Sequence, residues 1–201
     1  MVEAINAKVR KNNAVAVWCY APGYIGKDGY STAAMESITG MKFGILPDTR
    51  QYTLQITDPE NPITKEAAST KFETFTFSPS FHPVDTDIKT LGTASGRPAL
   101  AIKEFKDWSS VYSLMPLTPE LLRGLCDYAQ VHVYNRTNDI FGANASFLQI
   151  HAVTPGDKVL KLPGKYKVIE AYSNEFIGNG VSSFTAKGMK KGETRLYKLY
   201  K

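Results

Sequence analysis

Residues 109–134 read SSVYSLMPLTPELLRGLCDYAQVHVY, and the fold reading turns on them. The run from Trp108 to Leu114 has strand composition. Thr118 suits a helix N-cap, Pro119 the first helical position, and Glu120 the positive end of the helix dipole. Leu121, Leu122, Leu125 and Ala129 then recur at helical spacing and mark a buried stripe. An extended apolar run resumes over Val131 to Tyr134. Strand, helix, strand in this order is a βαβ unit, which implies parallel pairing through a right-handed crossover.

Working outward, residues 2–11 read as a helix with Ile5 and Val9 on one face. Residues 14–20, AVAVWCY, form a near-continuous apolar strand of the kind buried on both faces of a parallel sheet. A glycine-containing loop, APGYIGKDGY, follows. Ser31 then caps a short helix that buries Met35 and Ile38 and stops at Gly40. A doubly wound sheet normally opens with a strand. Here a helix comes first, so the opening strands are expected to be missing and the bare edge covered by other material.

Residues 41–105 change character. Tyr52, Leu54 and Ile56 alternate with polar residues, as do Phe75 and Phe77, and Pro47, Pro59, Pro62, Pro79 and Pro83 punctuate the runs. Short strands and long loops inserted in the framework are expected. From Ala145 onward the pattern is all β, with turns at Pro155-Gly156, Pro163-Gly164 and Gly178-Asn179-Gly180. That spacing fits a small antiparallel β-sandwich. The sequence thus reads as an α/β domain over residues 1–140, a partial flavodoxin-like or amidotransferase-like parallel sheet with inserted strands. A terminal β-sandwich over residues 141–201 follows, with the boundary near residues 138–144.

The chain has 201 residues, with 24 Lys and Arg against 19 Asp and Glu, a formal net charge of +5. The excess is spread along the chain; residues 187–191 hold its densest cluster, three lysines. Nucleic acid is not an expected partner. No apolar run reaches membrane-spanning length, so a membrane is not expected either. The two cysteines, Cys19 and Cys126, have neither metal-knuckle nor disulfide-framework spacing, and buried thiols are expected. His82, His132 and His151 lack metal-ligand spacing. No cofactor and no metal is expected, and the compartment is open.

For function, the acidic residues best placed as a glycosidase pair are Asp85, Asp87, Glu104 and Asp139. No barrel strand-end presents them, and solvated carboxylates are the expected outcome. Cys19 lies near the end of a buried strand, before a glycine-containing loop, but no tight elbow makes it a nucleophile. Aromatics are the more telling material. Open α/β sheets bind ligands outside the carboxyl ends of their strands. Tyr20, Tyr24, Asn135 and Asp139, with Trp108, form the candidate rim for a sugar or an interface. Aromatic faces suit a sugar's C–H face, and amide and carboxylate groups suit its hydroxyls.

Several motifs together, VWCYAPGYIGKDGYSTAAMESITGMKFG, FSPSFHPVD, SVYSLMPLTPELLRGLCDYAQVHVYN, FLQIHAV, LPGKYKVIEAY and ETRLYKLY, span nearly the whole chain. In that order they resemble the C-terminal part of large bacterial β-galactosidase-like glycoside hydrolases. The resemblance implies an amidotransferase-like, trimerisation-type domain followed by a small β-sandwich. The barrel that carries such a protein's catalytic carboxylates has no counterpart here. What the resemblance implies is therefore a non-catalytic accessory and oligomerisation region in carbohydrate degradation. Its partners would be the catalytic barrel of a parent protein or neighbouring subunits. The loop over residues 21–30 is expected to reach a neighbour. The alternatives are a carbohydrate-binding module that takes an oligosaccharide on its aromatic rim, and a small enzyme using Cys19.

Overall fold

The structure is a computed structural model that describes residues 2–27 and 29–201. It divides into two compact units, residues 1–130 and 131–201.

In chain order the first unit contains α1 (Val2–Val9), β1 (Ala14–Cys19), β2 (Ile25–Gly26), β3 (Gly29–Tyr30) and α2 (Thr32–Thr39). Then come β4 (Phe43–Leu46), β5 (Arg50–Thr53), β6 (Gln55–Ile56), β7 (Thr74–Phe77) and β8 (Ser80–Pro83). It closes with β9 (Lys89–Ala94), β10 (Arg97–Glu104), β11 (Trp108–Ser113) and α3 (Pro119–Tyr128). Its main sheet has the order β1-β11-β10-β9-β6. Only the β1–β11 pair in it is parallel, in register from Ala14↔Trp108 to Cys19↔Ser113. The β10–β11, β10–β9 and β6–β9 pairs are antiparallel. Three two-stranded sheets complete the unit, β2-β3 in the loop after β1 and β4-β8 and β5-β7 in the chain's irregular middle.

This corrects the expected fold class. Among the described residues strand accounts for 47% and helix for 13%, and the three helices there are too few to cover both faces of a doubly wound sheet. β11 is followed by α3, but Val131 to Tyr134 forms no strand, so the expected βαβ unit loses its second strand. The parallel partner of β11 is β1, far upstream, and β11 continues antiparallel into β10 across the Lys106-Asp107 turn. β1 is not buried on both faces. It is an edge strand, with Val17 38% exposed and Cys19 exposed as well.

The local signals do set the helices. Ser31 caps α2 by accepting from Ala34 N, and Gly40 ends it with φ +73°. Thr118 caps α3, with Pro119 in its first turn. Leu121 and Leu125 bury, while Leu122 stays half-exposed. Gly124 lets α3 press on main chain: a Cβ there would lie 2.1 Å from the Ile63 carbonyl oxygen. The core of this unit gathers Met35, Met41, Leu91, Leu100, Val111 and Tyr112.

The second unit contains β12 (Ile140–Ala143), β13 (Phe147–His151), β14 (Gly156–Glu170), β15 (Phe176–Met189) and β16 (Thr194–Tyr200). They form one antiparallel sheet in the order β12-β13-β16-β14-β15, not the two facing sheets of a sandwich. The expected turns at Pro163-Gly164 and Gly178-Asn179-Gly180 lie inside the two long strands. There they shift the register, between Lys161↔Ser183, Tyr166↔Val181 and Val168↔Gly178. Bulges of this kind bend a long hairpin, and the core of this unit gathers Leu148, Ile150, Leu160, Val168 and Tyr197.

Candidate functional site

The first unit's candidate site is the free edge of β1 together with the loop that leaves it. The apolar, β-branched run of β1 favours a strand. Tyr20 N donates to Ser113 O at 2.9 Å, continuing the ladder to β11. Tyr20 therefore shares the phase of Ala16 and Trp18. By strand alternation, Val15, Val17 and Cys19 direct their N–H and C=O groups away from β11, where the sheet has no further strand.

At Tyr20 the backbone turns sharply, with φ +61°. A bulky L-residue adopts that conformation only when its surroundings hold it there. Here four contacts do so. Tyr112 Oη donates to Tyr20 O at 2.8 Å, and Tyr20 Oη donates to Pro79 O at 2.8 Å. The Tyr20 ring stacks on Phe77 at 5.1 Å and meets Phe81 edge-on at 5.5 Å. The loop beyond is pinned in the same way. Gly23, at φ +75°, passes so close to Ile38 that a Cβ would clash at 2.4 Å. Tyr24 packs edge-on against Phe81 at 4.6 Å and stacks on Tyr30 at 5.4 Å. Ser31 N donates to Tyr24 O at 2.9 Å and closes the loop. At the β2–β3 tip Ile25 is 76% and Tyr30 74% exposed. Asp28, within this loop, lies outside the described residues. A rigid aromatic base thus carries an apolar tip into solvent beside an unpaired apolar strand.

Tyr20 and Tyr24 stand together at the carboxyl end of β1, but the structure does not bring Trp108 to them. Trp108 opens β11 opposite Ala14, at the other end of the ladder, about 17 Å away along the strands. It is 7% exposed, stacked on Phe105 at 4.4 Å with Arg10 over the ring at 5.2 Å. Asn135 and Asp139 belong to the second unit and serve its local structure. Asn135 Oδ1 accepts from Thr137 N at 2.7 Å. Asp139 Oδ2 lies 2.9 Å from Lys158 Nζ, with both side chains almost fully withdrawn from water. Burial pushes the Asp139 carboxyl up, but hydrogen bonds from Thr137, Lys158 Nζ and Val153 N outweigh it and hold the pKa below the usual range.

The other acidic candidates are likewise committed. Asp85 and Asp87 both pair with Lys103 at 3.1 Å, and Glu104 accepts from Tyr128 Oη at 2.7 Å. Cys19 is exposed, contrary to the expectation of a buried thiol, yet partial desolvation of its side chain pushes the thiol pKa up, away from a reactive thiolate. No histidine activates it. His82 accepts from Arg97 Nη1 at 3.2 Å, and burial, then Arg97, hold its pKa down. His132 donates to Lys161 O at 3.0 Å, and His151 bonds Thr194 Oγ1 at 2.8 Å. Among the described residues no group of three or more His, Cys, Asp or Glu side chains could hold a metal ion, and no helix is long and apolar enough to cross a membrane.

The turn between β14 and β15, residues 171–175, is not among the turns expected from sequence. Ser173-Asn174 after the aromatic was the available signal.

No protein-family model and no curated protein sequence matches the chain. Solved structures do. The β-galactosidase from Bacillus circulans sp. alkalophilus superposes on 98% of this chain with a TM-score of 0.61 at 13% identity. Gan42B, a GH42 β-galactosidase from G. stearothermophilus, covers all of it with a TM-score of 0.57, also at 13% identity. The cold-adapted enzyme from Rahnella sp. R3 covers 98% with a TM-score of 0.54 at 13% identity. In each case the match takes up 30% of the β-galactosidase chain. The class is thus a β-rich, two-unit fold that recurs as one portion of longer glycoside hydrolase chains. At this identity the likeness is one of fold.

Proposed function

We propose that this chain is a non-catalytic accessory and assembly module of a glycoside-hydrolase-like protein acting in carbohydrate degradation. Its partners are the catalytic barrel of a parent protein or neighbouring subunits. The observation that carries the reading is the free edge of β1: an apolar strand with unpaired main-chain groups, beside a stiff loop that exposes Ile25 and Tyr30. Edges of this kind are normally short, charged or covered. β1 has six residues and no charge. A fold that fills 30% of longer β-galactosidase chains has neighbouring protein to cover such a surface.

Sedimentation equilibrium over a range of protein concentrations tests this. The expected result is concentration-dependent association that Val17→Lys abolishes, because a charge on the exposed strand resists pairing. A chain that stays monomeric throughout would count against the reading, as would a Val17→Lys variant that associates like the parent.

A further inference from the structure

We propose that the second unit binds a neutral saccharide in the cavity beside the β14–β15 turn. This goes beyond the assembly reading and does not depend on it, because it concerns the other unit and other residues.

The cavity has a volume of about 600 Å³, and Tyr172, Glu175, Phe176, Thr185, Lys187 and Arg195 line it. Two large rings stand in water on one short stretch: Tyr172 is 72% and Phe176 59% exposed. Folding gains little by displaying them, so their placement calls for a partner.

The turn is built to hold those rings still. Glu170 is 8% exposed, and its Oε2 accepts from Tyr172 N at 2.9 Å, Ser173 N at 2.6 Å and Ser173 Oγ at 2.7 Å. Glu170 N donates to Glu175 O at 2.9 Å, and Ala171 N to Leu196 O at 2.7 Å. Asn174 takes the left-handed conformation, φ +58°, that closes the turn. A surface fixed in advance loses little entropy when a ligand binds.

Around the rings stand solvent-exposed polar groups that the fold itself does not engage. The carboxylate of Glu175, the hydroxyl of Thr185 and the ammonium of Lys187 make no hydrogen bond with any other described side chain or backbone group. Together they offer an acceptor, a donor-acceptor and a donor, which is what a polyol presents in return. Ring faces supply the apolar half of the match, for a sugar's C–H face. The ionic balance sets the class. Glu170, Glu175 and Glu193 outnumber Lys187 and Arg195 in the lining, and Arg195 Nε is already held by Glu193 Oε1 at 2.7 Å. An excess of carboxylates disfavours anionic sugars and phosphates. A ligand without charge, rich in hydroxyls, fits.

The test is a titration of the whole ¹⁵N-labelled chain, followed by amide chemical shifts. The probes are the β-1,4-linked tetrasaccharides of galactose, glucose and xylose, with tetragalacturonate as the anionic control. The expected result is saturable shifts at Tyr172, Ser173, Phe176 and Lys187 with at least one neutral probe. Tyr172→Ala and Phe176→Ala should each weaken binding about tenfold, the worth of a ring face sheltering roughly 60 Å² from water. Both rings are exposed, so both variants should keep the parent's spectrum elsewhere. Silence with all three neutral probes overturns the proposal, as do unchanged affinities in the variants or tighter binding of tetragalacturonate. Shifts at these amides that follow protein concentration instead of sugar would make the surface a contact between copies, and also overturn it.

Discussion

The hydroxyl of Tyr112, in the middle of the first unit's core, donates to the main-chain carbonyl of Tyr20 at 2.8 Å and lies 3.2 Å from that of Phe81. Tyr112 is fully buried, and burial, with Cys19 and Tyr20 nearby, raises its pKa well above the usual value, so the proton stays on the oxygen. One buried hydroxyl thus ties the left-handed residue at the end of β1 to β8. Tyr112→Phe should keep the fold, cost the first unit about 1–2 kcal/mol and speed amide exchange over residues 20–24. Denaturant unfolding and hydrogen exchange read the two effects. Unchanged exchange would mean the aromatic stack alone holds Tyr20.

The meeting of α3 with main chain at Ile63 gives a second expectation. A methyl group at Gly124 would sit 2.1 Å from a carbonyl oxygen and 2.7 Å from its carbon, neither of them a flexible side-chain end. Gly124→Ala, which raises helix propensity, should therefore destabilise the first unit by about 2 kcal/mol through overpacking. A lower denaturation midpoint for that unit checks it, and a stabilised variant would show that α3 can slide.

In the second unit the buried Asp139–Lys158 pair should contribute to acid sensitivity, alongside Glu170, whose pKa is likewise held down. The Asp139 pKa is lower in the folded chain than its ordinary value near 3.8. Below that ordinary value the unfolded chain takes up a proton that the folded chain does not. The pair's contribution is therefore fully present above about pH 4 and drains away as pH falls through the folded pKa. Asp139→Asn should remove that dependence and leave Lys158 buried without its counter-charge, at a cost of about 3 kcal/mol at neutral pH. Stability curves of both forms between pH 2 and 7 measure it.

Capping chemistry was the most legible part of the fold. Ser31, Gly40, Thr118 and Pro119 act within a few residues, and both helices they bound form as read. Strand pairing was not legible, because it depends on residues far apart. The run AVAVWCY has the composition of a strand covered on both sides, yet whether it is central or at an edge is decided by the partners of β11. Val131 to Tyr134 alternates like a strand but finds no ladder. Pro163-Gly164 and Gly178-Asn179-Gly180 carry turn chemistry, and two facing irregularities in one long hairpin use it as bulges. The site divides along the same line. Tyr20 and Tyr24, four residues apart, do meet one platform. Trp108 was joined to them on the premise of a common strand end, and parallel pairing with Ala14 puts it at the opposite one.

Amide hydrogen exchange in β1, at low and high protein concentration, tests the assembly account most directly. Val15, Val17 and Cys19 point their N–H groups off the sheet's edge, whereas Ala16, Trp18 and Tyr20 are in phase with β11. If the edge is the assembly surface, the first three exchange fast in dilute solution and become protected as concentration rises, while the second three stay slow throughout. Fast exchange at Val15, Val17 and Cys19 at every concentration, in a chain that is associating by mass, would put the contact elsewhere and contradict the account.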